Sequence, residues 1–189
     1  FTWMQEDTVE VDRRYNELHS MSRELSESYE ELSLLYKLST SMTVNQPPAN
    51  FLNEACSELR QVSGLRWIAL QLVDFEQRLN ELAGQIFTAG PVDCDAATLK
   101  RMGARLMAAH PAGSPPLVID DTQSLGIPYL TRLSKHLLVV WLYRDDKPLG
   151  ILFGGDKLDG SNITSVDSKL CNSLASSLTM FLENNMLYE

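Results

Sequence analysis

The chain has 189 residues, of which 44% are hydrophobic and 22% charged, an ordinary composition for a globular protein. Its 16 lysines and arginines against 25 acidic residues give a formal net charge of -9, and no basic stripe appears, which argues against direct nucleic-acid binding. Three scattered cysteines without CxxC spacing indicate reduced thiols in a cytoplasmic protein, and no apolar run or signal-peptide pattern predicts membrane insertion or secretion.

The first element is a heptad pattern over Val11 to Met42, which predicts one long helix whose apolar seam faces a partner. Glutamates fill the g positions and tyrosines most of the e positions, so the seam lacks interhelical salt bridges and widens toward a face that suits a helix bundle. The alternative is a lone amphipathic helix folded back on its own domain. The a positions hold Val11, Leu18, Leu25 and Leu32, and the d positions hold Arg14, Met21, Ser28 and Leu35.

The next elements follow from apolar periodicity and from turn residues such as Pro47-Pro48 and Gly64. A hairpin at Phe75 to Arg78 would join the first two strands, and Arg144 to Lys147 forms the polar turn of the strongest hairpin. The predicted elements are a helix over 49–63, strands over 66–74 and 79–88, a helix over 96–110, a strand over 117–119, a helical turn near 129–135, strands over 137–143 and 149–153, and a helix over 164–189.

Two local patterns near the C-terminus refine this prediction. Gly154-Gly155 is interpreted as part of a loop, not as the start of a diguanylate cyclase signature, because Lys157 and Leu158 follow Asp156. Thr164 and Asp167 have capping-box spacing at the start of the last helix. That helix continues to the last residue without a stop signal and the chain does not begin with Met, so we expect a piece of a longer protein.

The order of elements predicts an α+β fold with an antiparallel sheet, helices on both of its faces and a long helix in front. We divide the chain into a signalling helix over 1–42 and a domain over 43–189 that ends in a connector helix. The histidines lie far apart, no strained nucleophile turn is present, and enzymatic activity is not expected.

This order resembles the GAF family of sensory and regulatory domains, most clearly in three segments: Leu32 to Met42, the hairpin Leu137 to Asp156, and the ending Ser177 to Glu189. The hairpin resembles the family's apolar strand, short polar turn and Leu-Gly strand, here Leu149-Gly150. Trp141 departs from the pattern, because the family usually has proline at that point. The resemblance implies terminal helices on one face of the sheet and a ligand pocket on the other, beneath the segments 96–110 and 120–136. It also suggests that Gly150 lets a terminal helix approach the sheet.

The residues that could line such a pocket are aromatic or polar, with core packing as the alternative role for the aromatics. These pocket candidates are Trp67, Gln71, Tyr129, Arg132, His136, Trp141 and Tyr143. The sequence predicts no particular cofactor, and its identity is unknown. A covalent bilin is disfavoured because Lys135 precedes His136 where bilin-binding members carry a cysteine. The weaker alternative is a redox sensor or a haem sensor with the haem on His110 or His136.

The resulting hypothesis is a sensor or regulatory domain of a bacterial signalling protein that forms a homodimer and signals to an output domain outside this chain. The output could be a diguanylate cyclase, an HD-type phosphohydrolase, a histidine kinase or a serine phosphatase. A ligand-free dimerisation spacer is the alternative, and an unidentified small molecule is the possible input. The expected dimer interface comprises Leu18, Met21, Leu25, Tyr29, Leu32 and Leu35.

Overall fold

The computed structural model describes residues 2–41, 47–74, 81–111 and 113–188, with side chains for all of these except 2–9, 30, 34–35, 37–41 and 186–188. The described elements are α1 (Thr2–Ser41), α2 (Pro48–Ser63), β1 (Leu65–Leu72), β2 (Ile86–Ala89), α3 (Ala96–Ala109), β3 (Leu117–Ile119), a 3-10 turn (Thr122–Leu125), α4 (Pro128–Leu133), β4 (Leu137–Arg144), β5 (Lys147–Lys157) and α5 (Ser165–Tyr188). None of the helices in these ranges is both long enough and apolar enough to cross a bilayer.

The strands form one antiparallel sheet in the order β2-β1-β5-β4-β3. β5 lies at its centre, where Leu152 pairs with Leu70 on one side and with Val140 on the other. The β4–β5 turn places Asp145 and Asp146 at φ angles of 45° and 64°, the left-handed geometry that short hairpins need and that aspartate tolerates. The predicted α+β fold with an antiparallel sheet is therefore confirmed.

Local sequence signals account for the helix ends. α2 begins at Pro48, whose missing N–H would have no partner in the first helical turn, and stops at Gly64, which has a φ of 67° and donates its N–H to the Arg60 carbonyl. α3 begins after Asp95, whose carboxylate accepts the Thr98 N–H at 2.6 Å.

The sheet separates two apolar cores. On one face α2 and α5 pack together over the sheet, with Phe51 and Phe181 in ring contact at 4.1 Å between centroids. On the other face α3 and α4 cover Trp67 and Phe153, which meet edge-on at 5.9 Å. The terminal helix of the domain and the segment 96–133 thus lie on opposite sides of the sheet.

α1 lies outside these layers, alongside α2 and α5. Asn16 and Arg23 line a groove together with Ser165 and Lys169, and farther along the helix the Ser173 hydroxyl donates to the Glu31 carboxylate. Ser165, Lys169 and Ser173 belong to α5, so α1 and α5 run in the same direction. At a rise of about 1.5 Å per residue, α1 is roughly 60 Å long.

The structure corrects three expectations about the strands. Gly154 and Gly155 lie inside β5, not in a loop, because β5 runs to Lys157 and pairs with β1 and β4 along its length. Gly150 faces the backbone of β1, since a Cβ there would lie 2.5 Å from the Gln71 carbonyl oxygen, so its role is a close strand contact and not a helix contact. β2 begins only at Ile86. The hairpin expected at 75–78 lies outside the described residues, as does Met42.

Candidate functional site

A row of large apolar side chains lies exposed along α1, each between 63% and 73% accessible to solvent. Successive members are three or four residues apart, so they share one side of the helix. We name this row the α1 stripe; it comprises Val11, Tyr15, Leu18, Met21, Leu25, Tyr29, Leu32 and Tyr36.

The opposite side of α1 is polar, and that polar side meets the domain. Glu24, Glu27 and Glu31 line a groove that Lys169 and Leu170 of α5 complete. At 100° per residue, the groove-lining positions centre roughly 140° around the helix from the α1 stripe. α1 therefore packs its acidic side on its own domain and exposes its apolar side.

This arrangement clarifies the heptad pattern. Five of the six predicted interface residues lie on the α1 stripe: Leu18, Met21, Leu25, Tyr29 and Leu32. The side chain of the sixth, Leu35, is outside the described part of the chain. Ser28, a d position, lines the groove against α5, while Tyr15 and Tyr36 at e positions join the stripe. The apolar side follows a and e positions more closely than a and d.

A second candidate site lies between the sheet and the helices α3 and α4; we name this side of the sheet the α3 face. β1 and β4 contribute Trp67, Gln71 and Trp141, which are 1%, 8% and 5% exposed. Gln71 and Trp141 both pair with Ile151 of β5, from opposite sides, so these two side chains lie in one row across the sheet with Ile151 between them. Trp67 lies four residues before Gln71 on the same side of β1. From above, the row and its neighbours are covered by Leu99, Met102 and Leu106 of α3 and Leu130 of α4.

Three buried polar atoms on the α3 face lack a hydrogen-bond partner: Trp67 Nε1, Gln71 Oε1 and Trp141 Nε1. Among the described side chains, these are the buried nitrogen and oxygen atoms that remain unpaired, and all three belong to predicted pocket candidates. Burying an amide or an indole N–H without a partner is costly, and native cores rarely contain such groups. Their presence on one face identifies the part of the core with unused hydrogen-bonding capacity.

Gly103 of α3 rests directly on Gln71. A Cβ at position 103 would lie 2.1 Å from Gln71 Oε1 and 3.2 Å from the Phe153 ring. The helix therefore approaches the sheet as closely as it does because residue 103 has no side chain. The sequence pattern gave no sign of this contact, since a glycine within a helical segment has meaning only once the residue opposite it is known.

The other pocket candidates lie at the margin of the α3 face. Tyr129 and Tyr143 are 54% and 41% exposed, and Arg132 is exposed as well. His136 pairs with Asp156: its backbone N–H donates to the carboxylate at 2.9 Å, and its ring Nδ1 lies 3.3 Å from the same oxygen. His110 meets Trp141 edge-on at 5.4 Å.

Asp156 is held in a polar cradle at the end of β5. Burial acts to raise the pKa of its carboxyl group, but the hydrogen bonds from His136 and Lys135 outweigh that effect and lower the pKa below its usual value. This carboxylate fixes the segment that precedes β4 onto β5.

One residue further on, Lys157 ties the sheet to α5. Its ammonium group lies 2.7 Å from Asp167 Oδ1, and the two side chains are only 17% and 8% exposed. Asp167 Oδ2 also accepts from the N–H and the hydroxyl of Thr164, which confirms the predicted capping pair. The start of α5 is thereby coupled to the end of β5.

The three thiols have weak nucleophilic character. Burial raises the pKa of Cys56 and of Cys171 to about 12, and both lie in the core on the α2 and α5 side. Cys94 packs against the α3-side core, where burial and the neighbouring Asp95 and Asp93 raise its pKa as well. A thiolate at neutral pH is disfavoured at all three positions.

No family model matches the chain, and no curated protein matches it in sequence. Solved structures do match. The GAF domain/HD domain protein from Geobacter sulfurreducens is 17% identical with a TM-score of 0.55, over 75% of this chain and 95% of that one. The phycocyanobilin-bound GAF domain of a cyanobacterial phytochrome is 14% identical with a TM-score of 0.58, over 83% and 96%. The free methionine-R-sulfoxide reductase from Neisseria meningitidis is 17% identical with a TM-score of 0.58, over 84% and 92%.

Proposed function

We propose that this chain, which has the fold of GAF domains, is a regulatory domain of a multidomain signalling protein. In this proposal it forms a homodimer through the α1 stripe and passes its signal along α5 to an output domain elsewhere in the protein. The observation that carries the proposal is the orientation of α1, whose acidic side packs on the domain while its apolar side faces solvent.

The size of the α1 stripe supports a second copy of the chain as its partner. Eight large side chains that each expose roughly 100 Å² amount to on the order of 800 Å² per protomer, the scale of a standard protein–protein interface and more than a stable monomer usually leaves exposed. A stripe with near-heptad spacing suits a helix of the same kind, because identical helices interdigitate along a shared two-fold axis.

The contacts of α5 support a role in transmission. The Lys157–Asp167 pair fixes its first turn to β5, and Arg144 at the end of β4 approaches Glu183 at 3.4 Å near its other end. α1 lies against the same helix and runs in the same direction. A change in the sheet would therefore reach α5 and the dimer contact together, provided that an input binds the two states of the domain with different affinity.

The structural neighbours support a sensory role, since one is a phytochrome domain and another a GAF domain/HD domain protein. The output partner proposed for this chain could be an HD-type phosphohydrolase, a diguanylate cyclase, a histidine kinase or a serine phosphatase. Determining which domain adjoins α5 in the complete protein would choose among them.

Sedimentation velocity of Leu25→Glu tests the dimer. Placing a charge in the middle of the α1 stripe should convert the dimer to a monomer, because the carboxylate would be buried without a partner. Ala104→Glu is the matched control, since it adds the same charge at an exposed helical position on the other side of the sheet and should leave the dimer intact. A wild-type chain that sediments as a monomer at tens of micromolar would refute the dimer relay.

A ligand-free dimerisation spacer is the second candidate, and the close packing of α3 on the sheet favours it. It predicts the same effect of Leu25→Glu but no saturable binding of any small molecule on the α3 face. Thermal unfolding with candidate ligands separates the two functions, because a ligand that binds only the folded state raises the midpoint.

One structural neighbour is a free methionine-R-sulfoxide reductase; redox chemistry through a cysteine of this chain is disfavoured by the raised pKa of each thiol. A haem on His110 or His136 remains the weaker alternative. His136 is engaged by Asp156 and His110 by Trp141, and a visible absorption spectrum after addition of haem would test it directly.

A further inference from the structure

We propose that the two α1 helices of the dimer run antiparallel, so that the tyrosines of the α1 stripe pack against aliphatic side chains of the second copy. The inference rests on the homodimer proposed above and adds the orientation of its partner. It follows from three features of α1: the register of its exposed apolar side, the sizes of the side chains in that register and the distribution of charge along the helix.

The exposed side of α1 has a regular heptad register once Val11 is placed at position d. Aliphatic residues then recur every seven residues, and a hydroxyl-bearing residue follows each of them after four. Ser22 belongs to this series, since it is exposed and lines one groove with Leu25 and Tyr29. The d positions hold Val11, Leu18, Leu25 and Leu32, and the a positions hold Tyr15, Ser22, Tyr29 and Tyr36.

The sizes of these side chains favour antiparallel packing. Two parallel copies in register would pair each residue with itself, so the a layers would contain either two tyrosines or, at Ser22, two serines. Crowded layers would then alternate with a gap, whereas protein cores pack at even density.

In an antiparallel pair each a position packs against a d position, so every layer combines a hydroxyl-bearing side chain with an aliphatic one. The layers are Val11 with the partner's Tyr36, Tyr15 with the partner's Leu32, Leu18 with the partner's Tyr29, and Ser22 with the partner's Leu25. Beside the smaller Ser22 layers, the exposed Met21 lies next to the partner's Ser28, because g positions flank g positions in this orientation. Large and small side chains therefore face each other along the whole α1 stripe.

The charge of α1 is unevenly distributed along its length. Residues 10–23 contain three acidic and three basic side chains, whereas residues 24–36 contain four glutamates and no lysine or arginine. Parallel packing would set two acidic halves side by side, within the screening length of about 10 Å at 0.1 M salt. Antiparallel packing sets the acidic half of each helix beside the neutral half of the other.

This orientation determines how the dimer is connected to its outputs. α1 packs on its own domain through its acidic side, so a second α1 reaches the α1 stripe without displacing the domain. Because α1 and α5 run in the same direction within a protomer, the two α5 helices of an antiparallel dimer point in opposite directions. Each α5 then serves the output domain of its own chain.

Chemical crosslinking of cysteine variants tests the orientation. In the antiparallel dimer Leu18 lies beside the partner's Tyr29, whereas the two copies of Leu18 are separated by about 16 Å along the helix. A bismaleimide with a span of about 8 Å should join Leu18→Cys chains to Tyr29→Cys chains when the two variants are mixed, and should not join either variant to itself. Peptide mass spectrometry identifies the joined residues.

Val11→Cys mixed with Tyr36→Cys repeats the test at the ends of the α1 stripe, where a substitution removes the least of the contact. All four positions are exposed in the protomer, so the core of the domain is left intact. Ala104→Cys, exposed on the other side of the sheet, is the matched control and should be joined to none of them.

Sedimentation velocity of the unmodified wild-type chain reports the dimer separately. If the wild type is a dimer but Leu18→Cys is joined to itself, or neither mixed pair is joined, the antiparallel orientation is wrong and the proposed function stands. A wild-type chain that sediments as a monomer overturns both.

Discussion

Gln71 shows how one side chain can set the character of a surface. It lies in the middle of an otherwise apolar strand, is 8% exposed, and has an amide oxygen without a partner beneath the backbone of Gly103. A methionine of the same length would fill the same volume without that cost. Gln71 therefore has hydrogen-bonding capacity that the packing of the core does not use.

Gln71→Met should therefore raise the free energy of unfolding of the ligand-free protein by about 1 kcal/mol, because it removes a desolvated acceptor. Urea denaturation monitored by circular dichroism measures the change. Gln61→Met, at an exposed position of α2, is the control and should have an effect near zero. A loss of 1 kcal/mol or more in Gln71→Met would mean that the amide has a partner within the folded chain.

Gly103→Ala tests the contact between α3 and the sheet. The new Cβ would overlap Gln71 Oε1, and since the Gln71 side chain is buried it has little room to move aside. We expect the overlap to outweigh the gain of about 1 kcal/mol in helix propensity and to leave a net loss of about 1 kcal/mol. In a Gln71→Ala background the obstacle is gone, and the same substitution should become neutral or stabilising. Ala104→Gly at the exposed neighbouring position should cost about 1 kcal/mol in both backgrounds. Equal effects of Gly103→Ala in the two backgrounds would disprove the contact.

Asp156 predicts a pH dependence. Although burial raises its pKa, hydrogen bonds from His136 and Lys135 lower the pKa overall, so this carboxylate contributes stability that is fully present above the unfolded pKa of about 4 and is lost as pH falls through the folded value. Asp156→Asn keeps the backbone conformation at a φ of 45°, which asparagine tolerates, but loses the charge. The stability advantage of the wild type over this variant should shrink between about pH 5 and pH 3 in urea titrations. If the difference in stability between the wild type and Asp156→Asn did not change with pH, these hydrogen bonds would not depend on the ionised carboxylate.

At the scale of elements, the link between β5 and α5 depends on a partly buried ion pair. Lys157→Met would leave the Asp167 carboxylate with only its Thr164 hydrogen bonds, and we expect a loss of about 2 kcal/mol in stability. Adding Asp167→Asn should recover part of that loss, so a double-mutant cycle measures the coupling directly. Lys147→Met, at the exposed start of β5, is the control. Hydrogen exchange should show faster opening of the first turn of α5 in Lys157→Met alone.

The elements also show how far the sequence could be interpreted. Periodicity located α1, α2, α3 and α5 and the β4–β5 hairpin, because each is defined by residues close together in the chain. Gly154 and Gly155 were misassigned because their local chemistry favours a turn, whereas their structure is decided by distant strands. A Cβ at position 154 would lie 2.7 Å from the Trp67 carbonyl oxygen, and position 155 is crowded by Ser134. Glycine at these positions permits close packing, which no local pattern indicates.

The candidate site was predictable in part for the same reason. Trp67, Gln71 and Trp141 were found by noting polar and aromatic residues on apolar strands, and they lie together because antiparallel pairing aligns their rows. The sequence could not show that Tyr129 and Tyr143 are exposed, because their exposure depends on how the segments around α3 and α4 pack on the sheet. Which side of α1 meets the domain was equally undetermined, because the acidic and apolar sides are both continuous along the helix.

At the scale of the whole molecule, the charges predict how the proposed dimer responds to salt. The ion pairs among the described side chains of α1 connect residues of the same helix: Glu10 pairs with Arg13 and Arg14, and Glu27 pairs with Arg23. The α1 stripe itself is apolar, so its association would draw on burial of surface and not on ion pairs. Each protomer also carries a net charge of -9, which opposes association at low ionic strength.

Raising the salt concentration from about 0.1 M to 1 M shortens the screening length from about 10 Å to 3 Å and weakens the repulsion between two acidic protomers. The dimer should therefore become tighter or stay unchanged, and its dissociation constant, measured by sedimentation over a dilution series, should not rise. Leu25→Glu should remain monomeric across the same range, because screening does not remove the cost of burying its carboxylate. A dimer that dissociates on addition of salt would indicate an interface of charged pairs. The dimer contact would then be assigned to the acidic groove and its Lys169 and not to the α1 stripe.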